Sequence, residues 1–229
     1  MRVAEPDLLI LGDSHSVALK AGCDALGLRA EMLSFSGNIW HQGLVSLHRN
    51  RGVFVRNRAF QQRVVELAAR LGRGNVLSAE VPVLASFGFH LGRIVPPFGY
   101  NGNRTDAAGF LADETCLFAS RALAEAYVRH FRQGHVRMLR RLSDMVPTVA
   151  VAPPDIFGAV NYPLFVTIVK EMIRDAGVTL FDPCAELFPG QAGLPEGLLA
   201  EDGVHGNAAY GERAVGLLLE RGLIARRAG

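Results

Sequence analysis

Leu8-Leu9-Ile10-Leu11-Gly12-Asp13-Ser14-His15 is the stretch on which the reading of this chain turns. Its apolar run is too short for a helix and lacks the polar alternation of a half-exposed strand. It suits a strand covered on both faces. A helical pattern begins at once behind it, over residues 16–25, so only a tight turn separates strand from helix. Further apolar runs, each bounded by turn residues, lie at 31–35, 81–87, 148–152 and 178–181. Helical spacing is expected over 60–71, 113–145 (with Gly134 as a point of kinking), 163–176 and 207–221. Strand alternating with helix predicts a parallel sheet with helices on both faces. Ligands bind such sheets beyond the carboxyl ends of the strands, so the residues just after each run are the candidates for chemistry.

The composition agrees with that architecture. At 229 residues and 49% hydrophobic, the chain can bury a sizeable core without staples, as a single domain over residues 1–229. A formal charge of +2, from 24 basic and 22 acidic residues, gives no reason to expect a nucleic-acid or membrane partner. Cys23, Cys116 and Cys184 are far apart and form no CxxC, which points to a reducing compartment. With no apolar segment suited to a signal or a span, a cytoplasmic protein is expected. The segment 92–109, rich in Gly, Pro and Asn, reads as one long loop. Basic residues cluster at 49–73 and 121–141 and read as solvated helix faces. The pairs His41/His48 and His130/His135 have no carboxylate or thiolate to complete a ligand set, so no metal is expected.

After the first run, Ser14 sits where a sharp strand-to-helix turn raises a hydroxyl over the sheet edge, as a nucleophile requires. A plain helix cap by Asp13 or Ser14 is the alternative. Directly before the last helix stands Asp202-Gly203-Val204-His205. An Asp three residues before a His can accept from its Nδ1–H and leave Nε2 free to take a serine proton. Here too a capped helix start is the plainer reading, but the two motifs together supply a nucleophile, a base and its orienter. Ser36-Gly37-Asn38 follows the second run, and the Gly37 N–H can point at a developing oxyanion. Gly88-Phe89-His90 follows the third and Ala152-Pro153-Pro154-Asp155 the fourth. Trp40, Phe89, Phe98, Tyr100, Phe157 and Tyr162 either rim a site for a sugar ring or acyl chain or plug the sheet edge.

This set resembles the SGNH/GDSL hydrolase family. Gly12-Asp13-Ser14 is similar to its first block, 33–44 with Ser36-Gly37 and Gln42-Gly43-Leu44 to its second, and Asp202-Gly203-Val204-His205-Gly206-Asn207 to its last. The resemblance implies a three-layer α/β/α sandwich around a flavodoxin-like five-stranded parallel sheet. It implies an acyl ester hydrolase with no metal or organic cofactor, in which Ser14, Asp202 and His205 form the catalytic triad. Ser14, Gly37 and His90 would then form the oxyanion hole, with Asp13, His15, Asn38, Trp40 and Phe89 against the substrate. One position departs: His90 stands where the family's third block has an asparagine donor. The expected substrate is a small acyl ester, free or carbohydrate-linked. An O-acyltransferase on the same scaffold, or a binding module impaired at His90, are the alternatives.

Overall fold

The computed structural model describes residues 5–100, 102–113, 115–154, 160–191 and 193–227. In chain order the first half comprises β1 (Leu8–Gly12), α1 (Ser16–Ala25), β2 (Ala30–Ser34), α2 (Gly37–His41), β3 (Val45–His48), β4 (Gly52–Val55), α3 (Arg58–Arg70) and β5 (Val83–Ser86). There follow α4 (Val95–Tyr100), β6 (Asn103–Arg104), α5 (Ala107–Ala112), β7 (Leu117–Phe118) and α6 (Arg121–Ser143). The chain continues through β8 (Thr148–Val151), α7 (Tyr162–Asp175), β9 (Thr179–Phe181), α8 (Pro183–Leu187) and α9 (Ala208–Glu220).

The central sheet is five-stranded, ordered β2-β1-β5-β8-β9, and parallel throughout. Each expected apolar run supplies one of its strands. Alternation along β1 explains why the run carries no polar residue. Leu9 and Leu11 enter one core with residues of α3, α6 and α7, while Leu8 and Ile10 enter a second core with α1 and α9. Both faces are thus covered, giving three layers. The strand order doubles back at β1, whose neighbours are β2 and β5, so the carboxyl end of β1 lies at the topological switch. Gly12 closes the strand there because a Cβ would collide with the Ser86 carbonyl of β5. None of the described helices is long and apolar enough to cross a membrane.

Three expectations needed correction. The helix placed over 113–145 begins only at Arg121, with Ser120 as its cap. Asp113 instead accepts from the Thr115 N–H in a local turn that leads into β7. The long loop at 92–109 is largely folded, into α4, β6 and α5. An antiparallel hairpin, β3–β4, appears between α2 and α3, burying Val45, Leu47, Val53 and Val55 by simple alternation. Gly52 turns it with φ of 68°. Helix α6 runs on through Gly134.

Helices α1 and α9 pack at backbone distance. A Cβ on Gly22 would overlap the Gly211 backbone, and one on Gly211 would overlap the Ala18 carbonyl. Gly211→Ala is therefore expected to cost about 3 kcal/mol, the upper end of overpacking, because no flexible side chain can yield. That corresponds to a Tm roughly 6–12 °C lower. Gly216→Ala, on the same helix but with no atom within 4 Å of the new Cβ, should be neutral or stabilising by up to about 1 kcal/mol. Thermal unfolding of the two variants checks the contrast.

Candidate active site

Ser14 lies on the turn between β1 and α1, and its side chain is exposed. The turn is fixed from several sides. Asp13 N–H donates to the Ser86 carbonyl at 3.0 Å, and Ser34 Oγ–H donates to the Asp13 carbonyl at 2.7 Å. Trp40 Nε1–H donates to the Gly12 carbonyl at 3.0 Å from beneath. The Trp40 ring is itself wedged, stacked 4.2 Å from Phe87, with its backbone carbonyl taking a hydrogen bond from His135 Nε2 at 3.0 Å.

His205 arrives from the other end of the chain. A bridge between Leu199 and Gly206, with Ala200 N–H donating to the His205 carbonyl at 2.8 Å, makes a narrow turn whose tip is 201–204. Asp202 accepts at Oδ1 from the N–H groups of Val204 (2.8 Å) and His205 (3.0 Å), and its Oδ2 lies 2.6 Å from His205 Nδ1. His205 Nε2 is 2.7 Å from Ser14 Oγ. The bond from the His205 ring, then the Val204 N–H, hold the Asp202 carboxyl down at about 2, so it remains the acceptor that fixes the Nδ1–H tautomer. Asp202, His205 and Ser14 thus form one hydrogen-bonded chain ending on an exposed hydroxyl.

Two backbone donors flank that hydroxyl's turn. Among the described residues no acceptor meets the N–H of Ser14 or of Gly37, the first residue of α2. Gly37 also lets the His90 ring approach, since a Cβ there would lie 3.0 Å from His90 Nδ1. His90 follows Gly88, whose φ of 101° turns the chain away from β5. Asn38 is exposed beside Gly37. The His15 ring sits 4.7 Å from that of His205, and burial, then the neighbouring His205, lowers it to about 4, so it stays neutral.

The remaining expected contacts are relocated. Asp13 is 2% exposed and its carboxyl accepts from the His15 N–H at 2.9 Å, so it lies under the turn, out of a substrate's reach. Trp40 and Phe89 are core residues, as are Phe98 and Tyr162, because the folded segment 91–100 and helix α7 bring them inside. These aromatics plug the sheet edge and form no open rim. Phe157, Asp155 and the side chain of Tyr100 lie outside the described residues. Arg132, expected on a solvated face, is fully buried and donates to the backbone carbonyls of Phe131 and His90. Desolvation lowers its guanidinium to about 10. Its signal was available: it falls on the stripe defined by Val128, Val136 and Leu139.

Asn207, read from the sequence as the end of the last block and the start of a helix, was given no role of its own. Its Oδ1 caps Tyr210 N–H at 3.0 Å, and its Nδ2 donates to the carbonyls of Gly197 (2.9 Å) and Leu199 (3.1 Å). It therefore ties α9 to the strand segment that carries the His205 turn.

Comparison with protein-family models and with curated proteins gives no match. Solved structures similar to the chain include the psychrotrophic esterase EstA from Pseudoalteromonas sp., 15% identical over 94% of this chain and 97% of that one, with a TM-score of 0.46. The lipase Lip_vut3 from a goat rumen metagenome is 10% identical over 96% and 98%, with a TM-score of 0.49. A variant of Axe2, an acetyl xylan esterase from Geobacillus stearothermophilus, is 16% identical over the whole of both chains, with a TM-score of 0.43.

Asn207→Ala removes the cap and both donations, and should lower stability by about 1–2 kcal/mol. The midpoint of urea unfolding, at unchanged slope, reads that loss.

Proposed function

We propose that this chain is a serine ester hydrolase of the SGNH/GDSL kind that its motifs resemble, acting on a short acyl ester through an acyl-enzyme. The observation that carries the reading is the chain Asp202–His205–Ser14, with contacts of 2.6 and 2.7 Å ending on an exposed serine hydroxyl. A buried hydroxyl–imidazole contact would suit a structural role. This one opens to solvent at the carboxyl end of β1, where α/β sheets bind ligands.

In this reading His205 Nε2 takes the Ser14 proton as Oγ bonds to the ester carbonyl carbon. Asp202 stabilises the imidazolium that results. The negative charge on the carbonyl oxygen is met by the N–H groups of Ser14 and Gly37, while His90, expected as a third donor, turns Nδ1 to the Asp13 carboxyl at 3.1 Å and buries Nε2. As the C–O bond breaks, the His205 proton passes to the leaving alkoxide. A water then repeats the sequence on the acyl-enzyme, releasing the acid and restoring Ser14. The polar surroundings, His15, His90 and Asn38, favour a short or polar acyl group over a long alkyl chain. A sugar acetate fits that description.

Hydrolysis of an aryl acetate should fall by roughly 10,000-fold or more in Ser14→Ala and in His205→Ala, and by roughly 10,000-fold in Asp202→Ala, with the fold retained by circular dichroism. Turnover that survives Ser14→Ala would overturn the reading. Acyl transfer to an added sugar that outpaces hydrolysis would make the chain an acyltransferase instead.

A further inference from the structure

The formal charge of +2 conceals an uneven distribution. Residues 32–65 hold Arg49, Arg51, Arg56, Arg58 and Arg63 and no Asp or Glu, which leaves the rest of the chain net acidic. All five arginines are exposed. Among the described residues none of them meets a carboxylate, whereas Arg70, farther along α3, is held by Glu31 and Arg73 behind it by Glu5. Solubility is served by charge of either sign, but a one-signed, unpaired run favours an opposite charge from outside.

These arginines form a stripe that starts at the candidate site. The Arg63 guanidinium carbon stands 5.9 Å from the centre of the Phe35 ring, two residues before Gly37. Just past the other end of α2, Arg56 donates to the Gly43 carbonyl at 3.0 Å. From there the β3–β4 hairpin leads away. Val45, Leu47, Val53 and Val55 turn inward, so Ser46, His48 and Phe54 face out, with Arg49 and Arg51 at the tip. Gly52 sits against Asn75, ahead of β5, so the tip lies toward the amino end of the sheet. From Arg51 to Arg56 the stripe spans about 17 Å at the ordinary strand rise. Along it, Ser46 Oγ and His48 Nε2 meet at 3.1 Å, and the His48 ring stands edge-on to Phe54 at 5.9 Å. The positive field reaches α2, where burial first, then Arg132 and Arg93, lowers His41.

We propose that this stripe is a docking track for an acidic polysaccharide, whose recurring carboxylates pair with Arg63, Arg56, Arg51 and Arg49 while an acylated hydroxyl of the same chain lies at Ser14. This rests on the esterase reading and names its substrate class. The stripe is longer than any single sugar residue, so its partner is a polymer. A guanidinium meets a carboxylate through two parallel hydrogen bonds. Phe54 supplies an apolar face for the C–H side of a sugar ring. A lipid surface fits poorly, because Phe54 is the one apolar side chain that faces out of the hairpin. A nucleic-acid strand offers charge but no acylated hydroxyls along its length.

O-acetylated polygalacturonate and O-acetylated glucomannan, the second uncharged, test the assignment. At about 20 mM salt, kcat/KM per acetyl group should be at least about 10-fold higher on the polygalacturonate, with the gain in KM, and the two should converge to within about twofold at about 0.5 M NaCl. Arg49→Glu combined with Arg51→Glu should remove the preference. Arg213→Glu, exposed on α9 in the opposite layer, should keep it. Binding is read without turnover: unesterified polygalacturonate in a native gel should retard the protein, and the double variant should run unretarded.

Equal rates on the two polymers would overturn the inference and leave the esterase reading standing. So would retardation that survives high salt or the double substitution, or displacement of the polygalacturonate by a single-stranded oligonucleotide at lower charge concentration. Hydrolysis that survives Ser14→Ala, with retardation still dependent on Arg49 and Arg51, would remove the esterase reading and leave the track. If the double variant does not fold, the salt dependence of the wild type decides the matter.

Discussion

The contact on which the rest depends is the crossing of α1 and α9 at Gly22 and Gly211. Each helix begins two or three residues after a turn of the candidate site: α1 behind Ser14, α9 behind His205. Two helices with ordinary side chains at their contact would lie 8–10 Å apart. Glycine on both sides removes that spacing, and the helix origins come close enough for a 2.7 Å bond between side chains 191 positions apart. The geometry of the hydroxyl and imidazole is thus inherited from backbone packing on the far side of the sheet. Glycine inside a helix is unfavourable by about 1 kcal/mol relative to alanine, so both positions work against local helix propensity. Packing supplies the compensation.

Beneath the turn the molecule tolerates an unusual polar interior. Asp13, His90, His135 and Arg132 are all buried, and Arg132 has no carboxylate partner among the described residues. An unpaired buried cation is costly, and here it is met only by carbonyl oxygens of Phe131 and His90. The cost falls on the structure that carries the loop after β5. Such polar burial is common where a site requires groups held in one protonation state.

The sheet was legible because each strand is a short, mainly apolar run, and the central strands β1, β5 and β8 are buried along their whole length. The partners Ser14, Asp202 and His205 were legible for a related reason: turns at strand ends and helix starts are few, and reactive residue types on them are conspicuous. What stayed hidden depended on tertiary context. The hairpin β3–β4 has four-residue strands, and its alternation of Val45, Leu47, Val53 and Val55 is too brief to outweigh the polar residues between. Arg132 reads as solvent-facing by residue type, although its helical position places it inside. Asp13 and the aromatics Trp40 and Phe89 follow strand ends, as ligand-binding residues do. Whether such a side chain turns outward or under its own turn depends on neighbours distant in sequence, here His90 and Phe87.

The chain order of the site has a consequence during synthesis and after damage. Ser14 is made early, yet the imidazole that meets its hydroxyl belongs to a turn held in place by the last helix. Until α9 docks on α1, the Ser14 hydroxyl has no imidazole partner. The same holds for a chain cut anywhere ahead of residue 205. The hydroxyl–imidazole pair is therefore a property of the finished fold, and closing a loop of 191 positions is the step that forms it.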